Sequence, residues 1–488
     1  MGILNIFKQP DLPRPNNPNT DRFEIRQLEI ILHDWLKSDL REEQLLAEKY
    51  YDGDHDILQR QKKVIGADGS LQVIENVANN KLVDNQYRKL VDQKTNYVLG
   101  KPITIATEKD DYLKSLNSVF SKKVHRQLRV LARYAIDGGI AWLYPYYNEQ
   151  SEFKLAVYPS YEICPIWKDK EHIELESAMR YYSENIITNK GDVQTIHRVE
   201  HFTKFGINHY LYQGGTLVPH SHTDYVVRDE EGFNWNRLPI IPFKYNSNEI
   251  PLIRGVKSLQ DALNQVLSDF QNNMEEDPRT TILVLKNYDG TNIAEFRQNL
   301  ATYGVIKVTT VDGVQGGVEA LKVDVNAANY QAILMQLKRA IVENGRGFDA
   351  KEERMDGDPN QMNIESMYTD IDLDVNAMET EFQAGFEELK WFIDRHLENV
   401  DGSKHDEDTV DFIFNRDIFI NEDAKIDNCV KSVGIISNAT ILARHPWVTN
   451  VEHERKQIEE DKQADLEEME VMAAFQSKSK DSNKGGES

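Results

Sequence analysis

Three carboxylate clusters carry the residue types that bind divalent metal or activate water. Asp52-Gly53-Asp54-His55-Asp56 begins like a calcium loop. Its sixth position is Ile57, where such a loop turns on glycine, and its twelfth is Lys63, where a glutamate must close it. Asp356-Gly357-Asp358-Pro359-Asn360 fails in the same places, at Gln361 and Met367. Asp370, Asp372 and Asp374 alternate, but in a helical stretch, where residues two apart do not share a face. Only Asp370 and Asp374 do, and near a helix N-terminus carboxylates complement the backbone dipole. All three read as solvated or helix-terminal charge, so no metal site and no cofactor is expected. The phosphate-cradling, dinucleotide and His-Glu-x-x-His zinc motifs are missing, as is the Gly-x-Ser-x-Gly nucleophile elbow. The histidines pair with no cysteine at ligand spacing.

A different cluster stands out by its setting. Between Phe348 and Met362 lie Asp349, Glu352, Glu353, Asp356 and Asp358 against two cations, Lys351 and Arg354, a net charge of −3 interrupted by Gly357 and Pro359. The flanking elements define it. A helix is expected from Gly255 to about Glu276, with Val256, Leu259, Leu263, Val266, Leu267, Phe270 and Met274 on one side. A small insert with Gly-rich turns follows over 279–326, holding strands Thr281–Leu285, Val305–Val308 and Val318–Val325 and a short helix Ile293–Leu300. A second helix over Ala328–Glu343 returns the chain and carries Lys338 and Arg339, with Arg346 just beyond it. After the acidic loop, Ile364, Met367, Tyr368, Ile371, Val375, Met378, Phe382, Phe386, Leu389, Ile393 and Leu397 form one stripe at helical spacing. A helix over 363–398 has roughly 36 residues and a length of ~54 Å. It is a strut, and struts beside charged loops belong to assemblies and channels more than to compact enzymes.

The rest of the chain supplies a body for that device. A Pro/Asn leader precedes helices at 21–37 and 39–51, a loop over 60–76, and helices over Lys81–Leu99, 109–121 and 123–137. After Asp137-Gly138-Gly139 the period changes to that of strands as far as 246. Beyond the strut come a strand at Val410–Phe414, helices at Asn421–Val433 and Ser437–His445, a charged helix over Glu452–Phe475 and a Ser/Lys/Gly-rich tail. The two short helices have the outline of a helix-turn-helix, but the second offers one cation, Arg444, where a groove reader needs several polar side chains. The class is α+β with several domains.

Composition narrows the function. Fifty-seven Lys and Arg against 81 Asp and Glu give a net charge of −24 and a pI near 5.0, unlike a free DNA reader with its basic patch. Two distant cysteines, Cys164 and Cys429, read as free thiols of a reducing compartment. No apolar run approaches the ~20 residues of a membrane span. Met1-Gly2-Ile3-Leu4-Asn5-Ile6 is too short for a signal peptide and has Ile6 where myristoylation needs Ser or Thr. The expectation is a soluble protein made to stay in a cytoplasm.

Several segments together resemble the SPP1-type portal proteins of tailed bacteriophages: Tyr50-Tyr51-Asp52-Gly53-Asp54-His55-Asp56-Ile57, Asn79-Asn80-Lys81-Leu82-Val83-Asp84-Asn85, Gln93 to Ile103, Asp137-Gly138-Gly139 leading into Trp142, and Pro159-Ser160-Tyr161-Glu162-Ile163. The resemblance spans about residues 25–465. It implies a homo-oligomeric ring, commonly of twelve subunits, at one capsid vertex of the virion, assembled in the host bacterial cytoplasm. Double-stranded DNA would pass through it during packaging and ejection. Terminase, head-completion or adaptor proteins, scaffolding protein and major capsid protein would be its partners, with no membrane and no catalysis. In those terms residues 1–20 are a flexible leader, 21–250 the wing, 251–278 and 327–345 the stem helices, and 279–326 the clip. Residues 346–362 are the tunnel loop, 363–400 the strut, 401–420 a wing strand, 421–475 the crown and 476–488 a disordered tail. Phe348, Asp349, Lys351, Glu352, Glu353, Arg354, Asp356 and Asp358 would line the channel, and Lys338, Arg339 and Arg346 would make transient DNA contacts. Phe382, Phe386 and Leu389 are expected between subunits, because a lone amphipathic helix must bury its stripe. A metal-dependent nuclease with carboxylates gathered by the fold, and a scaffold or adaptor without a channel, are the competing readings.

Overall fold

The computed structural model describes residues 18–65, 70–73, 78–187, 192–228, 231–276, 282–286, 317–321, 327–349, 361–416, 422–448, 451 and 453–464. It mixes helix and sheet, in two units: residues 1–349 with 370–417, and residues 350–369 with 418–488.

The first unit opens with helices α1 (Pro18–Leu36) and α2 (Asp39–Asp52). Ser38 caps α2 by accepting from the Arg41 amide, and Gly53 ends it at φ 93°. Where a loop is expected over 60–76, strands β1 (Lys63–Ile65) and β2 (Leu71–Val73) pair as a short hairpin. Helix α3 (Gln86–Leu99), strand β3 (Thr104–Ala106) and helices α4 (Asp110–Val119) and α5 (Lys122–Gly138) follow. At Gly139 (φ 78°) the chain turns into β4 (Ile140–Tyr147). A Cβ there would lie 2.0 Å from the Glu249 carbonyl oxygen, so glycine is needed for both angle and space. β4 is central to a three-stranded sheet with β5 (Phe153–Tyr158) and, from beyond a long meander, β13 (Ile241–Lys244). The meander is a five-stranded antiparallel sheet of β6 (Ile163–Trp167), β7 (Leu175–Ile187), β8 (Val193–Thr203), β9 (Gly206–Gln213) and β10 (Thr216–Thr223), in sequence order. Helix α1 lies on it, burying Leu32 against Cys164, Met179, Val199, Tyr210 and Leu217. The pair β11 (Val226–Arg228) and β12 (Glu231–Phe233) leads into β13.

Helix α6 (Ile253–Glu276) then leaves, β14 (Ile282–Lys286) pairs antiparallel with β15 (Gly317–Leu321), and α7 (Ala327–Asn344) returns. Asn273 donates to the Tyr330 hydroxyl (2.9 Å), while Gly255 lies beside the Asn344 carbonyl. The two helices are therefore antiparallel. The expected helix Ile293–Leu300 and strand Val305–Val308 fall outside the described residues.

The long helix is α8, Gln361–Asp401. Within the first unit its stripe of Ile371, Val375, Met378, Phe382, Phe386, Leu389, Ile393 and Leu397 is buried inside the subunit, with Phe382, Phe386 and Leu389 at 0% exposure. This corrects the expectation of a subunit interface at those three residues. The partner is the chain's own body. Phe243 of β13 stacks edge-on to Phe382 and Phe386 (5.1 and 5.3 Å between ring centres), and Phe412 lies on Phe386 at 4.9 Å. Phe412 comes from β16 (Asp411–Ile413), which pairs with β3. In the second unit, α9 (Glu422–Lys431) and α10 (Asn438–Arg444) pack together, and Ser437 caps α10.

Helix α3 begins at Gln86 rather than Lys81. Leu82 and Val83 mimic helical spacing, but Asn85 caps the helix by accepting from the Arg88 amide at 2.8 Å. The preceding residues run extended along α6, and their amides are taken by side chains of that helix. Asn272 accepts from the Asn80 amide (2.7 Å), Ser268 from Leu82 (2.9 Å), Asn264 from Asp84 (3.0 Å), and Gln260 from both Gln86 and Tyr87 (3.0 Å each). The pitches match, since four helical residues rise ~6.0 Å and two extended residues span ~6.6 Å. The fully buried face of α6 is therefore this polar ladder with Ile253, Val256 and Leu263. Met274 is exposed, and Leu259, Val266, Leu267 and Phe270 are half-buried.

Candidate functional site: the root of the acidic loop

The N-terminal root of the acidic loop packs on α3, and Asp374, twelve residues beyond Met362 on α8, reaches the same helix. Helix α7 stops at Asn344, and Arg346 takes a left-handed backbone conformation (φ 47°). Gly345 and Gly347 flank it, and a Cβ on either would lie within 2.5 Å of a Leu90 methyl of α3. The next residue, Phe348, is bracketed by Gln93. Its amide donates to Gln93 Oε1 (2.8 Å), and Gln93 Nε2 donates to its carbonyl (2.7 Å).

Lys94, fully buried, follows on α3. Its ammonium donates to the Arg346 carbonyl at 3.1 Å and to Asp374 Oδ2 of α8 at 2.5 Å. Burial pulls the Lys94 pKa down and Asp374 opposes it. The Tyr245 hydroxyl donates to the same carboxylate oxygen (2.5 Å), and desolvation beside that charge holds the phenol pKa well above its ordinary value. Arg346 reaches Asp374 Oδ1 at 3.7 Å. Two residues earlier on α8, Asp372 accepts from the Tyr97 hydroxyl (2.5 Å) and from Arg416 (2.8 Å), and Arg416 also pairs with Glu379 (2.7 Å). Asp372 and Asp374 of the alternating run are thus held by cations and phenols. Asp370 is exposed. Asp56 of the first cluster pairs with Lys257 at 2.7 Å.

Of the expected channel residues, Phe348 and Asp349 are described, half-buried at this root, whereas Lys351, Glu352, Glu353, Arg354, Asp356 and Asp358 fall outside the described residues. The three candidate DNA-contacting cations pair with three different carboxylates. Lys338 pairs with Asp84 (2.7 Å), Arg339 with Glu343 one turn along α7 (2.9 Å), and Arg346 with Asp374. Each remains about half or more exposed, so the pairs are solvent-screened and weak. Chemically, the site is a joint. Its acids are neutralised, and among the described residues no group of three or more His, Cys, Asp or Glu is placed to hold a metal.

Sequence reasoning missed Gln93, Lys94, Tyr97, Tyr245 and Arg416, although Gln93, Lys94 and Tyr97 lie in a segment that carried the family resemblance. The partners of Gln93, Lys94 and Tyr97 lie more than 250 residues away, that of Tyr245 lies 129 away and those of Arg416 lie 37 to 44 away, and no local period marks them. The ladder left a local trace, the i, i+4 repeat Gln260, Asn264, Ser268 and Asn272.

The family described as phage portal protein, SPP1 Gp6-like, matches residues 37–468. The portal protein of Bacillus phage SPP1 is 28% identical over 421 residues, 85% of this chain and 82% of that protein. The portal protein of Clostridium phage phiCD119 is 28% identical over 438 residues, 86% of this chain and 93% of that one. The helix–insert–helix, the acidic loop and the long buried helix are thus parts of a phage structural protein, and the chain belongs to the SPP1 Gp6-like family of phage portal proteins.

Proposed function

We propose that the chain assembles into a closed ring, commonly of twelve copies, at one capsid vertex. Double-stranded DNA passes through the ring inward during packaging and outward during ejection. Terminase and the head-completion proteins dock on the insert between α6 and α7, while scaffolding and major capsid proteins meet the body of the ring. In this reading α6 and α7 are the stem, residues 279–326 the clip, and residues 348–362 line the passage.

Beyond family membership, one observation carries the reading: apolar surface left open on the helix pair. Met274, Ile333 and Met335 are 51%, 45% and 70% exposed, although the helices already bury Ile341 and Leu263. Such apolar surface needs cover, and a heterologous contact repeated by rotation closes a ring. The second unit likewise exposes Val430, Ile435 and Trp447.

The charge fits a conduit. Each phosphate neutralised by a fixed cation adds salt-dependent affinity, so a passage lined with free cations would hold DNA in place. Here Lys338, Arg339 and Arg346 each have a carboxylate beside them, and the loop carries −3 per subunit. Repulsion from all sides centres the duplex within a screening length of ~8 Å.

The test is charge reversal. Glu352, Glu353 and Asp356 all changed to Lys should leave ring formation intact and slow packaging or ejection, most at low salt. Wild-type rates at low salt would mean that the loop does not line the path.

A further inference from the structure

We propose that Lys94 is a positioning residue, whose single ammonium ties together the two ends of the chain segment that carries the acidic loop and so fixes where that loop leaves the body of the subunit. The proposal rests on the reading of the loop as channel lining, but its physical claim concerns described residues alone.

The segment departs at Arg346 and is back in the first unit at Asp374, and both ends meet at Lys94 Nζ, through a carbonyl at 3.1 Å and a carboxylate at 2.5 Å. A buried ion pair is poor evidence for stability, because an apolar side chain of the same size often serves as well or better. Its better-attested use is to specify geometry, and the surroundings here match that use. Arg346 sits at a positive φ unusual for a side-chain-bearing residue, with its carbonyl aimed at the ammonium. The adjacent Gln93 holds Phe348 by both amide and carbonyl, as a paired strand would. Gly347 lets the chain lie against Leu90. On the returning side, Tyr245 fixes the orientation of the Asp374 carboxylate. Two consecutive residues of α3 therefore set both the position and the direction of departure. No apolar residue at 94 reaches both partners, because the contact needs a long stem with several donors at its tip.

The test compares full-length assembled Lys94→Met with the double variant Lys94→Met/Asp374→Asn. Two readouts are taken: the thermal midpoint, and the rate of tryptic cleavage at Lys351 and Arg354 relative to cleavage elsewhere in the chain. The single variant leaves Asp374 short of a cation and should melt lower. The double variant removes both charges and should recover most of that loss. If Lys94 positions the loop, cleavage at Lys351 and Arg354 stays about tenfold faster than wild type in the double variant, as expected for loss of a charged hydrogen bond from a local opening equilibrium. Gln93→Ala, which alters no charge, should move cleavage the same way and serves as the readout should the lysine variants not assemble. Recovery of wild-type cleavage by the double variant, or wild-type cleavage in Gln93→Ala, would overturn the proposal and leave Lys94 as a neutraliser of Asp374. Neither readout involves DNA, so failure of the channel reading in the charge-reversal experiment would leave this result standing.

Discussion

The polar ladder between α6 and residues 80–87 makes a rung-by-rung prediction. Ser268→Ala is the cleanest perturbation. Ser268 is fully buried, and alanine occupies nearly its volume without the oxygen that accepts from the Leu82 amide at 2.9 Å. A donor left without its partner costs ~1–3 kcal/mol, and 1.4 kcal/mol is about tenfold in an equilibrium. Hydrogen exchange at the Leu82 amide should accelerate about tenfold. The Asn80 and Asp84 amides keep their own acceptors, Asn272 and Asn264, and should stay within about twofold of wild type. Asn264→Leu should reach further. Asn264 accepts from the Asp84 amide and from Gln260 Nε2 (3.1 Å), and it donates to His55 Nδ1 (2.8 Å). Its loss exposes Asp84 directly and loosens Gln260, so protection should fall at Asp84 most and at Gln86 next. The assay is exchange with fragmentation to single-residue resolution on the assembled protein. An unchanged Leu82 amide in Ser268→Ala, or equal acceleration from residue 80 to 87, would refute the reasoning. The second outcome would mean that apolar packing holds the segment as one unit.

Other consequences follow from the same structure. Phe386→Ala empties a site shared with Phe243, Phe412, Phe414 and Phe120, and should cost ~3–5 kcal/mol in denaturant titrations; a cost below ~1 kcal/mol would contradict its placement in the core. Gly385→Ala would set a methyl 2.8 Å from the Phe243 ring and should lower the melting midpoint, although alanine is the better helix former; a higher midpoint would count against the close approach. Burial lowers the His201 pKa to about 4, and its ring nitrogens have no hydrogen-bond partner. A depressed histidine favours the neutral form when folded, so its contribution is complete above the unfolded pKa of ~6.5 and is lost as pH falls towards 4. His201→Phe should flatten stability across that window by up to about 3 kcal/mol, and an unchanged pH profile would exclude His201 as its source. Replacing residues 281–324 by a short linker should leave the wing folded and abolish motor or adaptor docking; docking by that variant would remove the insert from the interface.

Local periodicity made much of this fold readable. The stripe on α8 has a 3.6-residue period and no interior proline, so its existence and ends were legible to within a few residues. What covers it was not, because Phe243 and Phe412 reach it from far along the chain. Helix α3 was extended too far because Leu82 and Val83 fall at helical spacing. The competing fact, that Asn80, Leu82 and Asp84 spend their amides on another helix, lies about 190 residues away. The ladder residues were passed over for a related reason. Polar side chains on a helix usually face water, and only tertiary structure shows these four buried. At the loop root, the charge pattern marked the loop, but Gln93 and Lys94 are polar residues on an amphipathic helix with no local sign that one of them is fully desolvated.

The central claim is a closed ring with the acidic loops turned inward, and a density map of the purified, assembled protein by electron microscopy tests it most directly. The account predicts a ring with a central opening, with residues 348–362 facing the axis and Ile333 and Met335 covered by the neighbouring subunit. Monomers at micromolar concentration across salt conditions, or a ring whose 348–362 segments point outward, would contradict it.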